Sequence, residues 1–236
     1  MNQLFLKMLE TFQSDEFKAG AQLPAYGELA TRFDASEDEI KRVISELIYE
    51  GVIERTRPEP KQEAQIPSYQ LWGVLTGSHS ITKEAKKRGL TPGVEIINWE
   101  KVVAWPSIGE RLDLEVGKDE VQIMERLRSA ESEPVGIETS YFPAKHYPGV
   151  TKDLFTGGGT GQSSFKVMEE KFGIKSARAT DEVTVVCLEK READYLQLAE
   201  GTPVLLRFRV TYSDKDIPVK ASRAVWKFRA KWEMDL

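Results

Sequence analysis

Apolar residues recur at spacings of three and four through the first fifty positions, the period of short amphipathic helices. Leu4, Leu6, Met8, Leu9 and Phe12 predict a helix over residues 3–12. Gly20 and Pro24 punctuate a turn, and a second short helix is expected from Tyr26 to Phe33, burying Leu29 and Phe33. Asp34-Ala35 is a tight connection. Ser36, with Glu39 three residues on, forms a capping box. It opens a third helix, Ser36 to Glu50, which buries Ile40, Val43, Ile44 and Leu47 and stops near Gly51. Val52-Ile53-Glu54-Arg55 reads as a strand, so the segment follows the pattern of a winged helix-turn-helix.

Residues 56–68 are polar and contain Pro58, Pro60 and Pro67, the composition of a linker. Beyond residue 69 the period changes. Strands are expected at Glu95–Ala104, Glu120–Ser129, Pro134–Phe142, Arg178–Leu188, Val204–Ser213 and Ile217–Lys227. Helices are expected at Thr82–Arg88, Gly109–Leu114, Ser164–Phe172 and Lys190–Leu198. Short joints at Glu131-Ser132-Glu133 and Asp214-Lys215-Asp216 make neighbouring strands antiparallel. The fold class is α/β of the α+β kind. Its expected domains are a helix-turn-helix unit over 1–62, a linker over 63–72 and a sheet domain over 73–236.

Composition narrows the function. No run of eighteen apolar residues is present, and Met1-Asn2-Gln3-Leu4 does not begin a secretory signal, so a soluble cytoplasmic protein is expected. The single cysteine, Cys187, lies in an apolar run and reads as a buried inert thiol. His79 and His146 have no partners at ligand spacing, so neither a metal nor another cofactor is expected. Gly157 to Gly161 is glycine-rich but no Gly-Lys-Ser/Thr follows, which leaves a loop. No acid–base or nucleophile constellation points to an enzyme. Trp99, Trp105, Trp226 and Trp232 read as core or dimer contacts. The net charge of −5 resides in the first 65 residues, with eight basic and thirteen acidic side chains, while the remainder balances at 25 of each.

Arg126 and Arg128 are two apart in an expected strand and therefore share one face, with Ile123 and Leu127 on the other, toward the core. Two guanidiniums side by side form a fork suited to phosphate or carboxylate. Ser80-Ile81-Thr82 and Ser163-Ser164 each precede a helix, where free N–H groups favour anions. Glu138, on the next strand, can accept from sugar or amine donors or pair with an arginine. The alternative reading of the same residues is surface ion pairing of Arg126 and Arg128 with Glu125, Glu131 or Glu138.

Glu125-Arg126-Leu127-Arg128-Ser129-Ala130, followed by Glu133-Pro134-Val135-Gly136-Ile137-Glu138 through Pro143, resembles the central signature of the UTRA effector domain. Ser163 to Ile174 and Leu198-Ala199-Glu200-Gly201-Thr202-Pro203 resemble its later parts, and Ala19 to Pro24, Glu28-Leu29-Ala30 and Leu47 to Arg55 resemble the attached DNA-binding module. The chain therefore resembles the GntR family of bacterial regulators, in its HutC/FarR branch. That resemblance implies a chorismate-lyase-like antiparallel sheet with helices, a homodimer, and a small effector that alters DNA affinity. It places Phe165 and Lys220 at the effector pocket, where tyrosine and glutamate are common. A lysine at 220 favours a more anionic ligand, such as a sugar phosphate or carboxylate, or faces solvent. It also places Ser36, Glu37, Lys41, Arg42, Arg55 and Arg57 toward DNA, with Glu37, Asp38 and Glu39 opening the helix expected in the major groove. The expected function is a ligand-responsive DNA-binding regulator, a repressor by type, with no membrane association. An effector sensor whose N-terminal module acts through dimerisation or a protein partner is the alternative.

Overall fold

Ser36 and Glu39 close the capping box that their spacing predicts. The Ser36 N–H and Oγ–H donate to Glu39 Oε2 at 3.0 and 2.7 Å, and the Glu39 N–H returns to Ser36 Oγ at 3.3 Å. The structure is a computed structural model that describes residues 3–12, 23–49, 52–53, 72–74, 90–156, 163–227 and 229–231. The chain divides into a unit over Met1–Pro58 and a unit over Glu59–Leu236.

In the first unit, α1 spans Gln3–Phe12, α2 Tyr26–Phe33 and α3 Glu37–Tyr49. Their apolar stripes meet: Phe5, Met8, Leu29, Ile40, Val43, Ile44 and Leu47 are buried, and Phe12 meets Phe33 edge-on at 6.5 Å. Asp34 adopts a left-handed conformation, φ 51°, so three residues suffice to turn α2 into α3. The strand expected at 52–55 does not begin there. Val52 and Ile53 form a bend, both N–H groups donating to Leu47 O at 2.9 and 3.4 Å, because the end of α3 recruits them to satisfy a free carbonyl. Glu54, Arg55 and Arg57 lie outside the described residues, as do residues 63–71 of the expected linker and the helix expected at Thr82–Arg88, while Trp72, expected to end the linker, begins a strand.

All six strands expected in the second unit form. They are β2 Pro92–Val103, β3 Glu120–Ala130, β4 Glu133–Pro143, β5 Ser176–Cys187, β6 Pro203–Ser213 and β7 Pro218–Trp226. They build one antiparallel sheet in the order β2-β3-β4-β7-β6-β5. A separate parallel pair joins β1 (Trp72–Val74) to β8 (Arg229–Lys231). Helix α4 runs Pro106–Leu112, three residues earlier than expected, because Pro106 starts it and left-handed Asp113 ends it. Helix α5 covers Ser164–Phe172 as expected. Helix α6, Lys190–Leu196, ends two residues early at left-handed Gln197. The β3–β4 hairpin turns on Glu131 and Ser132, both at positive φ.

Helices α4 and α6 cover one face of the sheet. There Trp105 meets Tyr141 at 5.6 Å and Tyr141 stacks near Phe208 at 6.4 Å. On the opposite face α5 and two 3-10 turns (Ala144–His146, Lys152–Phe155) pack on Met124 and Phe142. Trp105 and Trp226 are core residues, and Trp99 packs on Phe155 at 5.7 Å, while Trp232 lies outside the described residues. Cys187 is half-buried at the end of β5, not fully buried as expected, since β5 is an edge strand.

Gly136 shows how closely the sheet packs. A Cβ there would lie 2.0 Å from Trp226 Cε3 and 2.7 Å from the Val225 carbonyl oxygen. Gly136→Ala is expected to destabilise the protein by about 1–3 kcal/mol through overpacking. Urea denaturation checks this, with a lower midpoint at unchanged slope as the expected result.

Candidate anion-binding site

The register of the sheet places cations in its interior. On the α5 side of the sheet, successive cross-strand rows read Arg128–Gly136–Trp226–Leu205, then Arg126–Glu138–Ala224–Arg207, then Met124–Ser140–Ser222–Arg209–Asp181. Thr211 and Lys220 face each other in the next row, with Lys220 Nζ 5.8 Å from the Phe142 ring centroid. From β3 to β5 these rows hold five cations, Arg126, Arg128, Arg207, Arg209 and Lys220, against two carboxylates, Glu138 and Asp181. Arg126 and Arg128 are 2% and 4% exposed, whereas Leu127 on the other face is only half-buried. The pairing reading is corrected in its location: Arg126 does pair with Glu138, but strand alternation directs both arginines inward rather than to the surface.

Glu138 anchors the cluster. Its Oε2 accepts from Arg126 Nη2 at 3.0 Å and its Oε1 from Lys220 Nζ at 3.4 Å. Burial pushes the Glu138 carboxyl up, but Arg126, Lys220, Arg128 and Arg207 outweigh it and hold it well below the usual carboxylate range. Lys220 is 1% exposed, which removes the solvent-facing alternative, and it also donates to Ser164 Oγ at 2.9 Å. Its Nζ sits 5.1 Å from the centroid of the half-buried Phe165. Burial, reinforced by Arg126 and Arg207 and opposed by Glu138, lowers its pKa from 10.5 to about 8. Burial also lowers Arg128 to about 10, with Arg126 adding to the effect.

The expected site residues thus divide. Arg126, Arg128, Glu138, Phe165 and Lys220 gather on one face. Ser163 is the N-cap of α5 with no side-chain cap bond, and it is its neighbour Ser164 whose hydroxyl enters the cluster. Ser80, Ile81 and Thr82 lie outside the described residues, as does the loop Gly157 to Gly161. Glu125 and Glu131 are elsewhere: Glu125 pairs with Arg191 on the opposite face, and Glu131 accepts the Thr91 N–H. Sequence reasoning missed Arg207 and Arg209, although their i, i+2 spacing repeats that of Arg126 and Arg128. Arg209 is held by Asp181 in a two-bond pair at 2.6 and 2.5 Å.

In the first unit, the start of α3 carries the acidic run. Lys41 lies 3.7 Å from Glu37 and 3.5 Å from Asp38, and Arg42 Nε donates to the Asp38 carbonyl at 3.3 Å. Glu39 is engaged with Ser36, and the burial of the α3 stripe leaves Ser36, Glu37, Lys41 and Arg42 exposed.

A helix-turn-helix unit followed by an antiparallel sheet that buries cations on one face is the construction of a ligand-responsive transcriptional regulator. The UTRA domain matches residues 87–230, and the chain belongs to that family, as a GntR-type regulator. The HTH-type transcriptional repressor PhnF of Mycolicibacterium smegmatis is 26% identical over 220 residues, covering 90% of this chain and 83% of the repressor. The HTH-type transcriptional repressor NagR of Bacillus subtilis is 24% identical over 231 residues, covering 95% of this chain and 89% of that one. The crystal structure of PhnF from Mycobacterium smegmatis superposes with a TM-score of 0.63 at 24% identity, covering 98% of this chain and 99% of PhnF, and shares its fold. No helix among the described residues is long and apolar enough to cross a membrane.

The lowered pKa of Lys220 has a definite sign. Between about pH 8 and 10.5 the unfolded chain keeps a proton on this lysine that the folded chain has released. The unfolded state then binds more protons, so stability rises with pH across that window. Lys220→Met is expected to flatten this rise, as measured by urea denaturation of both proteins from pH 7.5 to 10.

Proposed function

We propose that the protein is a cytoplasmic, homodimeric DNA-binding repressor whose sheet domain, over 73–236, binds a small anionic effector of the sugar phosphate or carboxylate class. The domain follows a DNA-binding unit over 1–62 and a linker over 63–72. The observation that carries the reading is the gathering of Arg126, Arg128 and Lys220 around the buried Glu138 carboxylate. Arg126 and Arg128 supply charge-assisted bonds to the anion, Ser163 stands at the N-cap of α5 beside it, and Ser80, Ile81 and Thr82 are further ligand contacts in this reading. Phe165 and Lys220 border the ligand. The edge strand β5, with Val185 62% exposed, offers backbone groups that a second copy can cover.

Charge-assisted bonds contribute about 1.5–3 kcal/mol each. Arg126→Ala or Arg128→Ala is therefore expected to weaken binding of inorganic phosphate or a sugar phosphate at least about tenfold. Calorimetry with unchanged affinity in both variants would reject the site. Binding should also weaken as pH rises through about 8, where Lys220 loses its charge.

DNA is read by α3, with Ser36, Glu37, Lys41 and Arg42 at its exposed start and Arg55 and Arg57 as phosphate contacts. Carboxylates there repel phosphate and accept from donors such as cytosine N4. Six phosphate contacts per dimer correspond to a log–log salt slope of about −5. Glu37→Arg is expected to raise affinity for the protein's own upstream DNA, most at low salt, while Glu39 must be kept for the cap. Nanomolar binding of wild type at physiological salt to an operator without the expected cytosines would contradict this account of α3.

A further inference from the structure

Strand β5 differs from the other long strands of the sheet. It runs twelve residues, Ser176–Cys187, at the end of the strand order, and among the described residues β6 is its one strand neighbour. Residues 177–185 are all exposed, so neither helical layer covers them, whereas the other edge strand, β2, is half-buried over most of its length. A long edge with open N–H and C=O groups is a template for another strand. Proline and lysine, which blunt such edges, are absent between Ser176 and Cys187, and the one irregularity in its pairing lies at its start, between Ser176 and Arg178.

The side chains along this edge complement a second copy of themselves in one register. Two copies related by a two-fold axis perpendicular to the sheet pair antiparallel, and each residue meets the one equally far beyond the axis. With the axis at Thr180, Arg178 stands opposite the partner's Glu182 at two symmetric places, Ala179 stands opposite the partner's Asp181, and Thr180 meets its own copy. Opposite charges and threonine pairs are favourable cross-strand combinations. An axis at Asp181 or Glu182 sets a carboxylate against its own copy, and an axis at Ala179 or Val183 pairs no opposite charges. The two charged side chains are open to such a partner. Glu182 is 76% exposed, with a long contact of 3.5 Å to Arg111. Arg178 is 48% exposed. Asp216 engages its Nε at 2.7 Å and its Nη2 at 2.6 Å, which leaves further N–H groups free to donate, and the Tyr212 ring centroid, 3.6 Å from Cζ, fixes the guanidinium in place. We propose that β5 pairs with β5 of a second copy about Thr180, so that two six-stranded sheets become one continuous sheet held by Arg178–Glu182 pairs on either side of the axis. This rests on the homodimer reading above and gives it a register and its charged contacts.

The test uses the full chain, first with Cys187→Ser and one introduced cysteine. Thr180→Cys sets two thiols across the axis, where opposite Cα atoms of an antiparallel pair are about 4.5–5.5 Å apart, within disulfide reach. Mild oxidation should turn most of this variant into a covalent dimer on a non-reducing gel. Thr184→Cys, whose two copies would lie about 27 Å apart, should stay uncrosslinked. Charge reversal gives a second readout by sedimentation equilibrium. Arg178→Glu alone or Glu182→Arg alone sets like charges opposite and should raise the dimer dissociation constant at least about fivefold. Mixing the two variants pairs opposite charges again at both places, so the mixture should form heterodimers more tightly than either variant forms homodimers. Cross-linking at Thr184→Cys instead of Thr180→Cys, or no gain on mixing, overturns this register, while a wild-type dimer by light scattering leaves the homodimer reading standing. A wild-type monomer at every concentration brings both down.

Discussion

The Glu138 carboxylate is the constraint around which the sheet domain is organised. It is buried on β4, where an uncompensated charge would be costly, and it is kept ionised by cations from β3, β6 and β7. Each of those cations is in turn buried at the expense of hydration. Arg126 and Lys220 share the one carboxylate, and Ser164 at the start of α5 completes the shell of Lys220. The cluster is thus solvent-excluded and tied to four elements.

Such a face adds little to stability, and the opposite face compensates. There the aromatic column of Trp105, Tyr141 and Phe208 packs beneath α4, and Leu188, Ala193 and Leu196 bring α6 down onto the sheet. The charged residues on that side, Glu125 and Arg191, form a two-bond pair that ties α6 to β3. Adjacent residues of β3, Glu125 and Arg126, therefore serve opposite faces: one fastens a helix, the other joins the Glu138 cluster.

In the first unit the same acidic residues meet two demands. Glu39 closes the cap of α3, and Glu37 and Asp38 favour the positive end of the helix dipole while holding Lys41. What stabilises the helix start reduces its attraction to phosphate. The three carboxylates and two cations at this helix start contribute −1 to the net charge of −5 carried by the first 65 residues.

The periods of the sequence were sufficient for the elements. Helical spacing defined α1 to α3, the Ser36–Glu39 box marked the start of α3, and alternation defined all six strands of the sheet, because side-chain period is a local property of backbone geometry. Local signals also explain the errors: Pro106 and the left-handed Asp113 and Gln197 moved helix ends, and the end of α3 bent Val52 and Ile53. The family, too, was legible, in the run from Glu125 to Pro143. Burial and partnership were not. Nothing near Arg126 in the chain indicates that it lies deeper than Leu127, or that Lys220, 82 positions from Glu138, reaches the same carboxylate. Those facts depend on strand order and register, which bring β3, β4, β7 and β6 side by side. By itself the sequence determined which elements form and which face each residue takes. Only the tertiary structure decided which cations share a carboxylate, because pairing across strands is set by distances the chain order does not contain.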